Sequence, residues 1–469
     1  MTSTPIFVAI DNGSQSTKVS AVDSHGYVLE FVQRALMPTV SSGRGRVVHP
    51  ADDVWDSIRV ACAELMSRLG DRTQQVVGVG LCTIRFCRAY LNDDGELVEP
   101  MLSWMDERVG HPVGELPFGT RFITTSSGYI AHRLTGVRRD ASGNCQGMWP
   151  IDQATWKWSS EPSAFLNAGM FREQLFELVA PGELIGTVTK AAATATGLPS
   201  GLPVYATSND KAVEALGSGL RSDDSILVSL GTYITSMTVS RTFAETTDGN
   251  WRNFGSVPGE YLYESGGIRR GMWTVSWFRN LLGDTTDGEL NVGAEGVQPG
   301  SNGLYTILDW LAPSTAPYRR GALLGFDGSQ GRFEIYRSIL EGIAFTMKVH
   351  RGVLEKESGR TFTETIIAGG GSRSRLMMQI MADVLDVPTR RMAMPDGAGI
   401  GAAICAAVGS GVHSDWDSAV HAMVHVKDTF DPIPANVSAY RPISGAHAEL
   451  NRFTDPLFRI LADVAPEAS

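Results

Sequence analysis

The first residues that could do chemistry lie near the N-terminus, in the segment VAIDNGSQSTKVSAV. An apolar run stops at Asp11, a polar turn holds Gly13, Ser14 and Ser16, and Lys18 opens a second alternating run. Glycine lets the main chain approach a phosphate closely, and the hydroxyls and the lysine add donors and positive charge. Asp11 could hold Mg²⁺ through water. The alternative is an ordinary polar hairpin turn.

A second segment, ILVSLGTYITSMTVS, has the same order of residue types, with Gly231 and Thr232 at its turn. This similarity suggests two related domains that each open with a β-hairpin, although a match this short could arise by chance. Two phosphate-binding turns that face each other could clamp a nucleotide triphosphate. The chain contains no GxxxxGK[ST] motif, so a Walker-type phosphate loop is excluded.

A third segment, AGGGSRSR, places glycines between a predicted strand and a predicted helix. Gly369 and Gly370 would let an adenosine moiety lie against the main chain, with Ser374 at the start of the helix. The run lacks the GxGxxG spacing, so a dinucleotide fold is not supported. Close packing of the helix on the sheet is the alternative explanation.

Two acidic positions are candidates for the transfer chemistry and for sugar binding. In GLPVYATSNDKAVEALGSGL, Asp210 stands at the start of a helix predicted from about Lys211. The helix dipole and Lys211 favour an ionised Asp210, which could orient an attacking hydroxyl; simple helix capping is the alternative. In SWMDER, Trp104 and Asp106 combine an indole face with a carboxylate, a usual way to grip a polyhydroxylated ligand, although Trp104 could instead pack on the core.

These segments must be positioned by more than one domain, because 469 residues are too many for a single core. The sequence predicts an α/β protein with an N-terminal domain over residues 1–220 and a C-terminal, nucleotide-binding domain over residues 221–469. A net charge of −11 argues against nucleic-acid and anionic-membrane partners. Five scattered cysteines, no secretory signal and no apolar run suited to a membrane predict a soluble, cytoplasmic protein.

Taken together and in this order, the segments resemble the FGGY carbohydrate kinases, the family of glycerol kinase and xylulokinase. VAIDNGSQSTK and SLGTY are similar to the family's two phosphate motifs, SWMDER to its sugar-side segment, and AGGGSRSR to its adenosine motif. The likeness extends from about residue 6 to residue 410. It implies two actin-like (ribonuclease H-like) domains with an interdomain cleft that binds ATP and a sugar.

The resemblance also implies roles for individual residues. Asp210 becomes the general base and Asp11 the magnesium-associated acid. The implied nucleotide contacts are Gly13, Ser14, Ser16, Lys18, Gly231, Thr232, Gly369, Gly370 and Ser374, and the implied sugar or polyol contacts are Arg85, Trp104 and Asp106. The expected activity is ATP- and Mg²⁺-dependent phosphorylation of a primary hydroxyl on a small sugar, ketose (pentulose-type) or polyol, with a homodimer as an open option.

Three residues depart from the family pattern. Phe86 replaces the acid or histidine that follows Arg85, Lys211 replaces the usual Gln or Asn after the base, and Met272 stands where a glycine is common. The departures leave the substrate open. Two alternatives remain: an actin-like ATP-binding protein without sugar chemistry, and a sugar-binding regulator that has lost catalysis.

Overall fold

The first half of the chain is built around one mixed β-sheet. The computed structural model describes residues 4–43, 45–243 and 249–464. The strands of this half are β1 (Ile6–Asn12), β2 (Ser16–Asp23), β3 (Val28–Ala35), β4 (Val40–Ser41), β5 (Val47–Val48), β6 (Val76–Thr83), β7 (Arg88–Leu91), β8 (Phe122–Thr125), β9 (Arg139–Ala141), β10 (Ile151–Asp152), β11 (Lys157–Trp158), β12 (Glu177–Val179), β13 (Leu184–Thr187) and β14 (Pro203–Ala206). Its α-helices are α1 (Asp53–Leu69), α2 (Ser126–Thr135), α3 (Pro162–Ala168), α4 (Lys190–Thr196) and α5 (Asp210–Gly217), and its 3₁₀ turns are Gly70–Gln75, Glu107–Gly110 and Arg172–Gln174.

The second half is built around a second mixed sheet. Its strands are β15 (Ser225–Leu230), β16 (Ile234–Ser240), β17 (Asn250–Phe254), β18 (Tyr261–Ser265), β19 (Tyr305–Ile307), β20 (Ala322–Leu324), β21 (Glu364–Ala368), β22 (Thr389–Met392) and β23 (Val426–Phe430). Its α-helices are α6 (Gly271–Leu281), α7 (Asp287–Glu295), α8 (Arg332–Ser358), α9 (Arg375–Leu385), α10 (Gly397–Gly409), α11 (Trp416–Met423) and α12 (Pro434–Val464), and its 3₁₀ turns are Ser301–Gly303 and Gly370–Arg373.

The two sheets repeat one pattern. In the first sheet the order is β3-β2-β1-β6-β14-β13, and in the second it is β18-β16-β15-β21-β22-β23, with β17 added beside β18. In both, the first two neighbouring pairs are antiparallel, the next two are parallel and the last is antiparallel. The two predicted hairpins are present as β1–β2 and β15–β16, so their similarity reflects a repeat of the whole sheet.

The central strand of each sheet, β1 in the first and β15 in the second, is buried along its whole length. This burial explains their nearly continuous apolar sequences. Every residue of β1 and of β15 is buried, because each strand has a partner on both edges and helices on its faces. In β1 the polar residues Asp11 and Asn12 come last, and in β15 Ser229 stands next to the end. The turns that follow β1 and β15 therefore present polar groups at corresponding positions of the two sheets.

Helix α10 belongs to the second half of the sequence but packs against the first sheet. It contacts β1, β6 and α5, and its apolar residues share one buried cluster with Phe7 and Ala9 of β1. Glycine makes this contact possible: a Cβ on Gly217 would overlap the carbonyl oxygen of Gly397, and a Cβ on Gly401 would overlap that of Val213. The division of the chain at residue 220 stays a prediction.

The described helices include none with both the length and the apolar character of a membrane span.

The contact between α5 and α10 predicts a large cost for one added methyl group. Gly401→Ala should lower the free energy of unfolding by about 1–3 kcal/mol, because the new Cβ must push the two helices apart. The measurement is urea unfolding followed by circular dichroism. Gly352→Ala is the matched control, because Gly352 is an exposed position inside α8 with no atom within 4 Å of the added Cβ. This variant should have a free energy of unfolding about 0.5–1 kcal/mol higher than the wild type. Equal stability of the two variants would contradict the close contact.

Candidate functional site

Asp210 is the first residue of α5, directly after the segment that follows β14. The helix is capped by Asn209, whose side chain accepts a hydrogen bond from the amide of Ala212 at 3.0 Å. The alternative that Asp210 serves as the cap is therefore wrong. Its Oδ1 instead accepts from the amide of Lys211 at 2.9 Å and lies 3.5 Å from Nε of Arg85.

Arg85 connects Asp210 to the second sheet. It lies in the loop after β6, and its Nη1 and Nη2 donate to the two carboxylate oxygens of Glu264 at 2.7 and 3.0 Å. Glu264 lies on β18, its side chain is only 3% exposed, and it also accepts from the Asn253 side chain at 3.2 Å. A two-pronged pair of this kind fixes the plane of the guanidinium. Arg85 is thereby held between a carboxylate of each half of the chain.

The pKa of Asp210 is raised above its ordinary value. Burial is the main cause and Glu264 adds to it, while Arg85 and Lys211 oppose the change without cancelling it. The expectation that the helix dipole and Lys211 would leave an acidic, readily ionised carboxyl is therefore wrong in direction. A carboxylate with a raised pKa is a better proton acceptor near neutral pH.

Asp11 and Lys18 lie together at the end of the first hairpin. Nζ of Lys18 is 2.7 Å from Oδ2 of Asp396, which precedes α10, and 3.4 Å from Oδ2 of Asp11. Burial and the nearby Asp396 raise the pKa of Asp11 to about 7; Asp210 contributes in the same direction, and Lys18 opposes it. Two buried or half-buried carboxylates thus share one ammonium group beside Asp210.

The rest of the first turn is partly open to solvent. The amide of Gly13 donates to the carbonyl oxygen of Ser16 at 3.0 Å, which closes the turn. Ser14 is exposed, and the hydroxyl of Ser16 accepts from the side chain of Gln33 at 3.0 Å. Thr17 is buried and bonds to Asn12, so its hydroxyl faces the interior.

The second turn and the glycine-rich loop form one surface. The amides of Gly271 and Met272, at the start of α6, donate to the carbonyl oxygens of Thr232 and Gly231 at 2.8 and 3.1 Å. Gly369 has a φ of +84°, and a Cβ there would lie 2.6 Å from the carbonyl oxygen of Leu230. Only glycine satisfies both conditions. The loop therefore lies directly against the strand that leads into the second turn.

The remaining two predicted contacts of this loop differ from each other. Gly370 is exposed, and its Cβ position has no atom within 4 Å. Ser374 caps α9: its hydroxyl accepts from the amide of Met377 at 3.1 Å and donates to Asn291. The structure thus gives Ser374 a structural role, while Gly370 faces open space.

Trp104 and Asp106 share a loop but are placed differently. Asp106 is 1% exposed and accepts hydrogen bonds from the Arg108 guanidinium and from the amide of Val47 at 2.7 Å. Burial opposes ionisation, but these bonds outweigh it and lower the pKa of Asp106. Trp104 is 47% exposed, and Leu102, two residues before it, pairs through its main chain with Arg88, three residues beyond Arg85. Asp106 therefore shapes the loop that holds Trp104 near Arg85.

Phe86, one of the departures, bridges the two halves beside Arg85. Its φ of +65° is rare for a residue with a side chain. Its ring meets that of Trp251, on β17, edge to face at 6.1 Å. An aromatic contact thus stands where the resemblance leads us to expect a polar group after Arg85.

Sequence reasoning missed several of these residues. Glu264 and Asn253 lie on strands whose sequences carry no motif, and Asp396 precedes a helix of mostly small residues that carries no chemical motif either. The partners of Lys211, which are Glu214 and Ser229, were also not singled out. The one available signal was the charge of Asp396 next to the run GAGIGAA.

The fold is shared with solved sugar kinases. Xylulose kinase from Rhodospirillum rubrum matches with a TM-score of 0.83 and 24% identity, over 96% of this chain and 99% of that one. Gluconate kinase from Lactobacillus acidophilus matches with a TM-score of 0.86 and 17% identity, over 98% of this chain and 100% of that one. These likenesses show a common α/β architecture with mixed sheets.

The sequence itself places the chain more narrowly. A protein of Escherichia coli strain K12, described as the uncharacterized sugar kinase YgcE, is 41% identical over 464 residues, which cover 96% of this chain and 94% of that protein. Models of the N-terminal and C-terminal domains of the FGGY family of carbohydrate kinases match residues 6–117 and 226–410. The chain therefore belongs to the FGGY family of carbohydrate kinases. It is an ATP-dependent carbohydrate kinase, as the motifs predicted.

The buried pair of Arg85 and Glu264 predicts a strong effect on stability. Arg85→Gln should lower the free energy of unfolding by about 3–5 kcal/mol, because it leaves the Glu264 carboxylate buried without its cation. Thermal unfolding without ligands measures this. Arg452→Gln is the control, since it breaks an exposed pair with Glu449 and should cost less than about 1 kcal/mol. A similar small loss in both variants would mean that the Arg85 pair is solvated.

Proposed function

We propose that this kinase transfers the γ-phosphoryl group of ATP to a primary hydroxyl of a small, neutral sugar, of the pentulose-type ketose or polyol class. The observation that carries the proposal is the position of Asp210: it starts a helix, is held by Arg85, and lies near enough to Asp11 to raise the pKa of that residue. A proton acceptor and a predicted phosphate-binding turn thus occupy one region.

The charges near Asp210 favour a neutral substrate. Arg85 is paired with Glu264, and Lys211 with Glu214 at 2.7 Å. A sugar acid would bring another negative charge next to Asp210 and would need a cation that is released from one of these pairs. A polyhydroxylated neutral ligand needs only hydrogen bonds and an apolar face, which the exposed indole of Trp104 supplies.

In this mechanism Asp210 orients the substrate hydroxyl and accepts its proton as the new oxygen–phosphorus bond forms and the bond between the γ-phosphorus and the β–γ bridging oxygen breaks, which releases ADP. Arg85 fixes the carboxylate in place and keeps Glu264 from the hydroxyl. The turns at Gly13 and Gly231 and the exposed Gly370 would approach the phosphates and the adenosine. Closure of the two actin-like halves over a cleft would exclude water from the γ-phosphate.

Asp11 is the residue proposed to work with Mg²⁺. The described ranges contain no cluster of three acidic, histidine or cysteine side chains built to hold a metal ion. Mg²⁺ commonly uses one or two carboxylates and completes its shell with water and phosphate oxygens, so the buried Asp11 beside Asp396 fits that role. When bound with ATP, the ion would neutralise charge on the phosphates.

The proposal predicts that Asp210→Asn keeps ATP binding but loses about 10²–10⁴-fold in turnover, because the amide cannot accept the proton. A coupled assay for ADP release over pentuloses, hexuloses, polyols and sugar acids measures the wild-type preference and the loss. Asp284→Asn, at an exposed acid, is the control and should keep full activity. Turnover near the wild-type value in Asp210→Asn would reject the assigned role, and no turnover of any sugar by the wild type would favour an inactive regulator.

A second prediction concerns the adenosine contact. Gly370→Ala should raise KM for ATP about tenfold and leave the unfolding temperature unchanged, because the new methyl group meets no protein atom but stands where the nucleotide would lie. Steady-state kinetics with varied ATP measures the change. Gly445→Ala, another exposed glycine with no atom within 4 Å of its Cβ position, serves as the control. An unchanged KM would place the nucleotide elsewhere.

A further inference from the structure

Lys211, one residue beyond Asp210, has its ammonium group fixed by two partners. Nζ lies 2.7 Å from Oε2 of Glu214, in the next turn of α5, and donates to the hydroxyl of Ser229 at 3.3 Å. Ser229 in turn donates to Oε1 of Glu214 at 2.6 Å. The side chains of Lys211 and Glu214 are 20% and 14% exposed, and Ser229 is buried. The three groups form a closed, mostly buried network.

This network joins two elements that the proposed reaction must keep in register. Lys211 and Glu214 belong to α5, the helix that begins with Asp210. Ser229 lies on β15, two residues before Gly231 in the second glycine turn. These three side chains therefore link the helix that bears the proposed proton acceptor to the strand that leads into the predicted nucleotide turn.

The network also places a charge beside Asp210. Arg85 is committed in two-pronged fashion to Glu264, whereas Lys211 faces Asp210 and Glu264 as well as its own partner. The charged and titratable groups that face Asp210 are Arg85, Lys211 and Glu264, with Asp11, Cys82 and Cys87 also near it. Those that face the network are Asp210, Glu264, Tyr233 and Lys18.

We propose that Lys211 is a positioning residue for the proposed transfer: fixed by Glu214 and Ser229, it holds a positive charge beside Asp210 and ties the base-bearing helix to the nucleotide turn. The inference rests on the proposed function and deepens it. The Gln or Asn that the resemblance expects after the base could hydrogen-bond but could not supply charge.

Glu214 makes this replacement possible, because a buried ammonium needs a charged partner. Burial alone would lower the pKa of Lys211, but Glu214 and Asp210 outweigh it and raise the pKa above its ordinary value. The same contact lowers the pKa of Glu214 despite its burial. Lys211 therefore stays protonated over the pH range in which Asp210 titrates.

The test compares pH profiles of kcat/KM for three variants with the wild type. Lys211→Gln removes the charge, so the acid limb of the profile should move to higher pH by about 0.5–1 unit, since Asp210 must be ionised to act. Lys211→Arg keeps the charge and should keep the limb within about 0.2 unit. The double variant Lys211→Gln/Glu214→Gln removes both charges and should show a smaller shift than Lys211→Gln.

A purely structural role would lower turnover at every pH and leave the acid limb in place, and this outcome in folded Lys211→Gln overturns the inference. If Lys211→Gln does not fold, the profile of Glu214→Gln tests the inference instead. This change frees the ammonium of its partner, so the acid limb should move to lower pH, and an unmoved limb overturns the inference.

A second readout does not need turnover. Titration of the Asp210 carboxyl carbon by NMR with ¹³C-labelled aspartate, assigned by its absence in Asp210→Asn, should show the same direction of change. Failure of the wild type to phosphorylate any sugar would reject the proposed function. The NMR titration of Asp210 in the wild type and the Lys211 variants would then decide the inference about Lys211 by itself.

Discussion

The direct contact between α5 and α10 is the constraint on which the site depends. The two helices begin at Asp210 and immediately after Asp396, and glycines at Gly217 and Gly401 let their main chains touch. Because α10 also packs on β1, the same contact fixes both helix starts relative to the hairpin that holds Asp11 and Lys18. Asp11, Asp210 and Asp396, from distant parts of the sequence, thus lie close together because of how the helices and the hairpin pack.

Bringing acids together in a poorly solvated place demands compensating cations, and the structure provides one for each group of carboxylates. Lys18 stands between Asp11 and Asp396, Arg85 between Asp210 and Glu264, and Lys211 beside Glu214. The compensation is incomplete at Asp11 and Asp210, whose pKa values remain raised by burial. Groups that bind a metal–phosphate complex or accept a proton are those in which such an imbalance is useful.

The sequence predicted the parts of this arrangement that local pattern controls. An apolar strand followed by a polar turn and an alternating strand predicted both hairpins. The glycine run after β21 predicted the loop in which only a glycine fits at position 369. The pairing of Arg85 with Glu264 could not be predicted, because 179 residues separate them and β18 carries no motif. The direction of the Asp210 pKa shift was also predicted wrongly. The shift comes mainly from burial, which depends on the packing of distant elements and not only on the helix and the neighbouring Lys211.

The sequence also could not predict the substrate. The shape and charge around Arg85 bear on which substrates the proposed function allows. Phe86 and Trp251 place an aromatic contact across the two halves, at the position where the resemblance leads us to expect an acid or a histidine. A ring pair adds apolar surface and removes a hydrogen-bonding group, while Arg85 is turned toward protein carboxylates. Under the proposed function, a ligand bound there would supply its own donors to Asp210 and lay a less polar face on the rings. The proposed substrate meets that requirement if it is a short neutral sugar whose hydroxyls lie on one side and whose carbon atoms face the aromatic residues.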